Sequence, residues 1–273
     1  MASGVTNQAY ADAAERLSAD TATSTGAQLA TVADEILTVA GLLRGQPRLR
    51  RALTDPSRPG DDRGDLFRSL LTGKAAEVTV DALATLVGGR FSKPSDLLDA
   101  TERLGVDTLL ASAQKDDALA EIEDELFRFA QIVAGTPQLA ATLSDIGAPI
   151  APRAKLVGDL LDGKAKAITV RLVQVALEGF GGRGFEASLG RLVELTAARR
   201  DREVAYVTVA KPLGDAEEAA LAGKLATIYG REVSLKVDVN PAVIGGVSVR
   251  VGSDLYDGTI LRRLNAAKQA FAK

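Results

Sequence analysis

The chain has 273 residues, with 33 Lys and Arg against 36 Asp and Glu for a formal net charge of −3, and it contains no His, Cys or Trp. A Ser-His-Asp or Cys-His relay needs an imidazole and a structural zinc site needs Cys or His ligands, so both are excluded, as are disulfides, thiol redox chemistry and Fe–S ligation. The near-neutral balance also argues against a general nucleic-acid binder, which carries a basic footprint.

With 46% hydrophobic residues but only 7 Phe and 4 Tyr, the core has to be built from Ala, Leu and Val, which favours closely packed helices. The N-terminal stretch MASGVTNQAYADAAERL lacks the basic segment and apolar core of a signal peptide, and no run of about 18 apolar residues occurs. The expectation is a soluble, cytosolic chain that reaches a membrane only through a partner.

After a first helix around QAYADAAERL, the segment from Ile36 to Val87 repeats itself at an offset of 90 residues, with 16 identities over 52 ungapped positions. Pro47, Leu49, Leu53 and Asp55 match Pro137, Leu139, Leu143 and Asp145, and Gly73-Lys74-Ala75 matches Gly163-Lys164-Ala165. Val32, Ile36, Val39, Leu42 and Leu43 fall at helical spacing before the Gly45-Gln46-Pro47 break; Ile122, Leu126, Phe129, Ile132 and Val133 do the same before Gly135-Thr136-Pro137. A short helix with Leu49 and Leu53 follows, then two longer ones separated by Gly73 and Gly163. Each repeat reads as a small helical bundle.

From Glu203 the period changes. Val204, Tyr206 and Val209 mark a strand, Asp215 opens a helix, and Val233, Leu235, Val237 and Val239 alternate with polar residues as in a strand with one buried face. Pro241 and Gly245-Gly246 lead into a third strand, Val247, Val249 and Val251, and Asp257-Gly258 turns the chain into a last amphipathic helix, Ile260 to Phe271. The expected architecture is mainly α: two tandem bundles (1–110 and 111–202) followed by a strand-helix-strand-strand-helix α+β module (203–273).

The stretch VIGGVSVRVGSDLYDGTILRRL carries Ile244-Gly245-Gly246, Arg250-Val251-Gly252, Asp257-Gly258-Thr259 and Arg262-Arg263-Leu264. This pattern resembles the C-terminal signature of the δ subunit family of bacterial F-type ATP synthases, known in mitochondria as the oligomycin-sensitivity-conferring protein. The likeness extends upstream over most of the chain, and the doubled bundle resembles the long actinobacterial form. It implies a non-catalytic stator part of the peripheral stalk, without cofactor or metal, held peripherally at the cytoplasmic face of the cell membrane. The implied partners are the N-terminal helix of an α subunit and the b-type stalk subunits, with no nucleic acid and no direct membrane insertion.

Matching the family's first helix carries over Tyr10, Ala13 and Ala14 as candidates for the α-subunit contact. Small residues on a helix face admit either an internal or a foreign helix, and the residues alone do not choose. An offset of 90 places Ala100 opposite Tyr10, so the second copy lacks that aromatic. Within the signature, Gly245 and Gly246 read most simply as backbone requirements of a turn or bulge before a strand. The alternative to a stator subunit is a helical-repeat adaptor for an unrelated partner.

Three other features read plainly. Gly179, Gly181 and Gly184 spell G-x-G-x-x-G but follow a helix-period stretch rather than a strand, so a helix–helix loop is expected instead of a nucleotide site. Glu121, Glu123, Asp124 and Glu125 do not converge on one point of a helix and read as a solvated face. Arg199, Arg200 and Arg202, with acids interleaved, read as a charged helix end before the strand module.

Overall fold

The computed structural model describes residues 4–200, 202–229, 232–243, 245–251, 254–258 and Ile260. The helices of the N-terminal part are α1 (Gly4–Asp20), α2 (Gly26–Gly45), α3 (Pro47–Leu53), α4 (Gly60–Leu71), α5 (Glu77–Gly88), α6 (Pro94–Lys115), α7 (Leu119–Gly135), α8 (Pro137–Ser144), α9 (Ile150–Leu161), α10 (Ala167–Leu177) and α11 (Phe185–Arg199). The C-terminal part contains β1 (Arg202–Val209), α12 (Asp215–Tyr229), β2 (Glu232–Val239), β3 (Val247–Val251) and β4 (Asp254–Asp257). The chain forms two compact units, Met1–Leu192 and Val193–Lys273.

Local sequence sets the helix boundaries. Thr25 and Gln28 form a reciprocal capping box at the start of α2, with the Gln28 N–H 3.3 Å from the Thr25 hydroxyl and the Thr25 N–H 2.8 Å from the Gln28 amide oxygen. Pro47, Pro94 and Pro137 open α3, α6 and α8, where a missing N–H costs nothing. After α4 and α9, Gly73 and Gly163 take left-handed φ of 75° and 65°. The lysines that follow cap the same two helices, Lys74 donating to the Leu70 carbonyl at 3.0 Å and Lys164 to Leu160 at 3.2 Å. The repeated Gly-Lys-Ala triplet is a helix stop.

The duplication recurs at the level of side-chain contacts. Glu35 on α2 accepts from the Ala76 N–H (3.1 Å) and the Thr79 hydroxyl at the start of α5; Glu125 on α7 accepts from the Lys166 N–H (3.0 Å) and the Thr169 hydroxyl at the start of α10. Each pair joins the second and fifth helices of its copy through the otherwise unsatisfied donors of a helix N-terminus. Buried Arg63 donates to the carbonyls of Asp55 and Arg58 at 3.0 and 3.1 Å, and buried Arg153 donates to those of Leu143 and Ala148 at 3.0 and 3.2 Å. Both arginines lock the loop that precedes their own helix.

The two copies share α6. This helix packs along α2, and it also touches α10, by a much smaller contact than that of α1 with α5. The buried stripe of α1, Thr6, Ala9, Ala13 and Leu17, recurs as Leu97, Ala100, Leu104 and Thr108 of α6, each 91 residues on. The register of these helices is therefore 91, not the 90 of the rest of the repeat, and Tyr10 corresponds to Thr101 rather than Ala100. The 52 matched positions lie downstream of the first helix, so its register had to be carried across a connection that is one residue shorter in the second copy. Two ion pairs also tie α2 to the second copy: Arg171 to Asp34 at 2.5 Å, and Arg44 to Glu178. Among the described residues α2 is also the one helix long and apolar enough to cross a membrane, but half of that window is buried in the bundle.

In the second unit the sheet order is β2-β1-β3-β4, with β1 parallel to β2 and β3 antiparallel to both β1 and β4. The parallel pair is linked through α12, the crossover that parallel strands require. Ala205, Val207 and Val209 of β1 form a core with Leu225 of α12, Val233 of β2 and Val249 and Val251 of β3. The strand β4 is additional to the expected order; four residues are too few to show an alternation. Of the expected last helix, Ile260 to Phe271, only Ile260 lies among the described residues.

Candidate functional site

The three candidate contact residues on α1 occupy three different environments. Ala13 is 0% exposed and belongs to the core with Ala9 and Leu17, so it is enclosed by its own bundle. Ala14 and Tyr10 are partly buried against the edge of that core and keep surface toward solvent. The Tyr10 hydroxyl donates to the Asp107 carboxylate of α6, and the Arg103 guanidinium lies 5.1 Å from the ring centroid with its Nε 3.3 Å from the same carboxylate. Burial first, and then the Asp107 charge, holds the Tyr10 phenol well above its ordinary range, so it stays a neutral donor. The Tyr10 ring is thus held between α1 and α6, one turn from the small Ala14.

The glycine-rich loop has an occupant from its own chain. It forms a short 3-10 turn at Phe180–Gly182, and the Gly181 N–H donates to the carboxylate of Glu102 at 2.7 Å. Glu102 lies on α6 at 2% exposure and is paired with Arg44 Nη2 at 2.6 Å. Burial pushes the Glu102 carboxyl up, while the Gly181 N–H and Arg44 pull it down. Where a nucleotide site would place a phosphate, this loop places a buried glutamate.

The acidic cluster on α7 is not a uniformly solvated face. Glu123 is 0% exposed, Glu125 caps α10 and Glu121 pairs with Lys166 at 3.0 Å. Consecutive positions on a helix diverge by about 100°, and here they reach the core, a neighbouring helix and the surface in turn. Among the described residues no group of three or more potential ligands could hold a metal ion. The Arg199, Arg200, Arg202 run spans the end of α11 and the start of β1, as expected.

Gly245, Gly246, Asp257 and Gly258 of the signature meet at one end of the β3–β4 pair. Gly246 has φ of +83°, a backbone conformation that excludes most side chains. A Cβ on Gly245 would stand 2.8 Å from the Ile260 side chain, and the Gly245 carbonyl accepts the Ile260 N–H at 2.9 Å. The Gly258 N–H donates to the Val247 carbonyl at 2.9 Å, and Asp257 stands opposite Ser248 in the ladder. Arg250, exposed, lies over the ring of its cross-strand partner Tyr206, 4.9 Å from the centroid, on the two central strands of the sheet. Ile244 and Gly252 lie outside the described residues. The roles of Gly245, Gly246 and Gly258 are backbone shaping and strand pairing.

Residues 106–271 match the family model "ATP synthase delta (OSCP) subunit". Over 273 residues, covering both chains completely, the sequence is 57% identical to the ATP synthase subunit delta of Salinispora arenicola and equally to that of Salinispora tropica. The chain belongs to the ATP synthase delta (OSCP) subunit family. It is a structural stalk subunit of the ATP synthase, not a catalytic one. A more distant delta subunit, from Streptomyces griseus, is 40% identical over 265 residues and covers 97% of each chain, so the full length is shared among these relatives. The family model takes in the second copy and the sheet unit; Tyr10, Ala13 and Ala14 of this delta-family chain lie ahead of it.

Proposed function

We propose that this chain is the stator link that joins the catalytic head to the membrane-anchored b subunits, so that the head stays still while the rotor turns and rotation is coupled to ATP synthesis. In this reading it works at the cytoplasmic face of the cell membrane, held there through the complex. The Tyr10 and Ala14 face of α1 receives the N-terminal helix of an α subunit, in the manner of an amphipathic helix laid in a groove. The sheet unit, residues 203–273, grips the b-type subunits, and the helical copies at 1–110 and 111–202 make up the rest of the chain.

The observation that supports this most is the end-to-end match to delta subunits at 57% identity. The mechanical task needs stiffness and two separated surfaces. The shared α6, the doubled Glu35 and Glu125 caps and the buried Arg63 and Arg153 supply the first. A pull-down with the α N-terminal peptide and with b tests the reading; binding to neither sinks it. Tyr10→Asp is expected to weaken head binding while the far-UV helical signal is kept.

A further inference from the structure

We propose that the chain, although its bundle is doubled, docks a single partner helix: the open face is on α1, and its counterpart on α6 is already filled by the chain's own α2. The proposal rests on the reading that α1 receives the α-subunit helix, and it adds where and how many.

The buried stripes of α1 and α6 align with a shift of 91 residues, and each helix touches the fifth helix of its copy, α6 much less extensively than α1. In that register Tyr10 corresponds to Thr101 and Ala14 to Gly105. On α1 these positions are partly exposed. On α6 Thr101 is 1% exposed, and a Cβ added to Gly105 would lie 2.7 Å from Leu37 Cδ2 and 3.3 Å from Ile36 Cγ2 of α2. Helix α2 therefore lies directly on the α6 face that corresponds to the partly exposed Tyr10 and Ala14 face of α1.

The consequence bears on the part of the chain that the family model covers. The match runs from residue 106, so the bundle it takes in is the second one. That bundle opens with α6, whose outer face α2 has sealed from inside the chain. A helix arriving from outside finds its equivalent landing place only at the beginning of the array, where it takes on α1 the position that α2 takes on α6. The packing of α2 also indicates the chemistry of the arriving helix: an apolar stripe like that of Ile36 and Leu37. Because Ala14 has a methyl group where Gly105 has none, the residue facing it has to be shorter than Leu for the two helices to approach as closely.

The test is isothermal titration of the full-length chain with a synthetic peptide of the N-terminal helix of the α subunit from the same organism. One peptide per chain is expected. Ala14→Arg should lower the affinity at least about tenfold with the far-UV signal unchanged. Should that variant lose its helical signal, Ala14→Leu keeps helix propensity and carries the same expectation. Two peptides per chain would overturn the proposal, as would one peptide whose affinity neither Ala14 variant alters. Absence of binding to the unmodified chain would instead overturn the α-helix docking reading itself.

Discussion

Glu102 shows what a buried charge does in a protein with no chemistry to perform. It holds Arg44 from α2 and the Gly181 N–H at 2.6 and 2.7 Å, so three segments depend on one carboxylate. Removing one member of a buried, hydrogen-bonded pair strands the other, and Glu102→Ala is expected to cost about 3–5 kcal/mol, read as a lower urea midpoint. Glu102→Gln, which keeps an acceptor, should cost less. Tyr10 offers a second check, by pH. Its phenol is raised in the fold, so the fold favours the protonated form; that contribution is complete below the ordinary Tyr value of about 10 and is lost as the pH climbs above it. Alkaline ultraviolet titration of the native chain should show a tyrosine ionising above the ordinary range, a component that is missing from Tyr10→Phe. Neither role was legible in the sequence. Glu102 pairs across 58 and 79 residues, and nothing local marks an acid as buried.

At the scale of elements, the duplication was legible and its joint was not. Identities such as Pro47 with Pro137 and Gly73 with Gly163 mark helix starts and stops, which are local, and the structure places helices on both sides of each. The double role of α6 is a matter of packing, and residue 110, the expected boundary between the copies, falls inside that unbroken helix. Strand β4 escaped notice because four residues do not establish a period. The equivalent caps make a symmetrical prediction. Glu35→Ala and Glu125→Ala should each cost about 1–2 kcal/mol, and their costs should add, since the two helix starts share no partner. Gly246→Val forces a β-branched residue into φ of +83°. It is expected to disorder the sheet unit while leaving the helical unit folded, visible as loss of b binding with the helical signal retained. Full-strength b binding by that variant would refute the backbone argument.

For the whole molecule, the missing His, Cys and Trp turn from a set of exclusions into part of a description. A part that holds a motor still needs rigid bodies with contact surfaces at separate places. It obtains the first from repeated Ala- and Leu-rich helices clamped by buried arginines and glutamate caps. The C-terminal signature disclosed the family because its glycines are fixed by backbone geometry, as at Gly246, or by close approach, as at Gly245. The proposed docking face was only partly legible: the resemblance to the family's first helix singled out Tyr10, Ala13 and Ala14, but only packing against α5 and α6 decided that Ala13 faces inward. The measurement that bears most directly on the account is ATP-driven proton pumping by membrane vesicles from which this subunit has been stripped and then restored. Loss of pumping on stripping and its recovery on adding back the purified chain is the expected result. Full pumping in its absence would contradict the account.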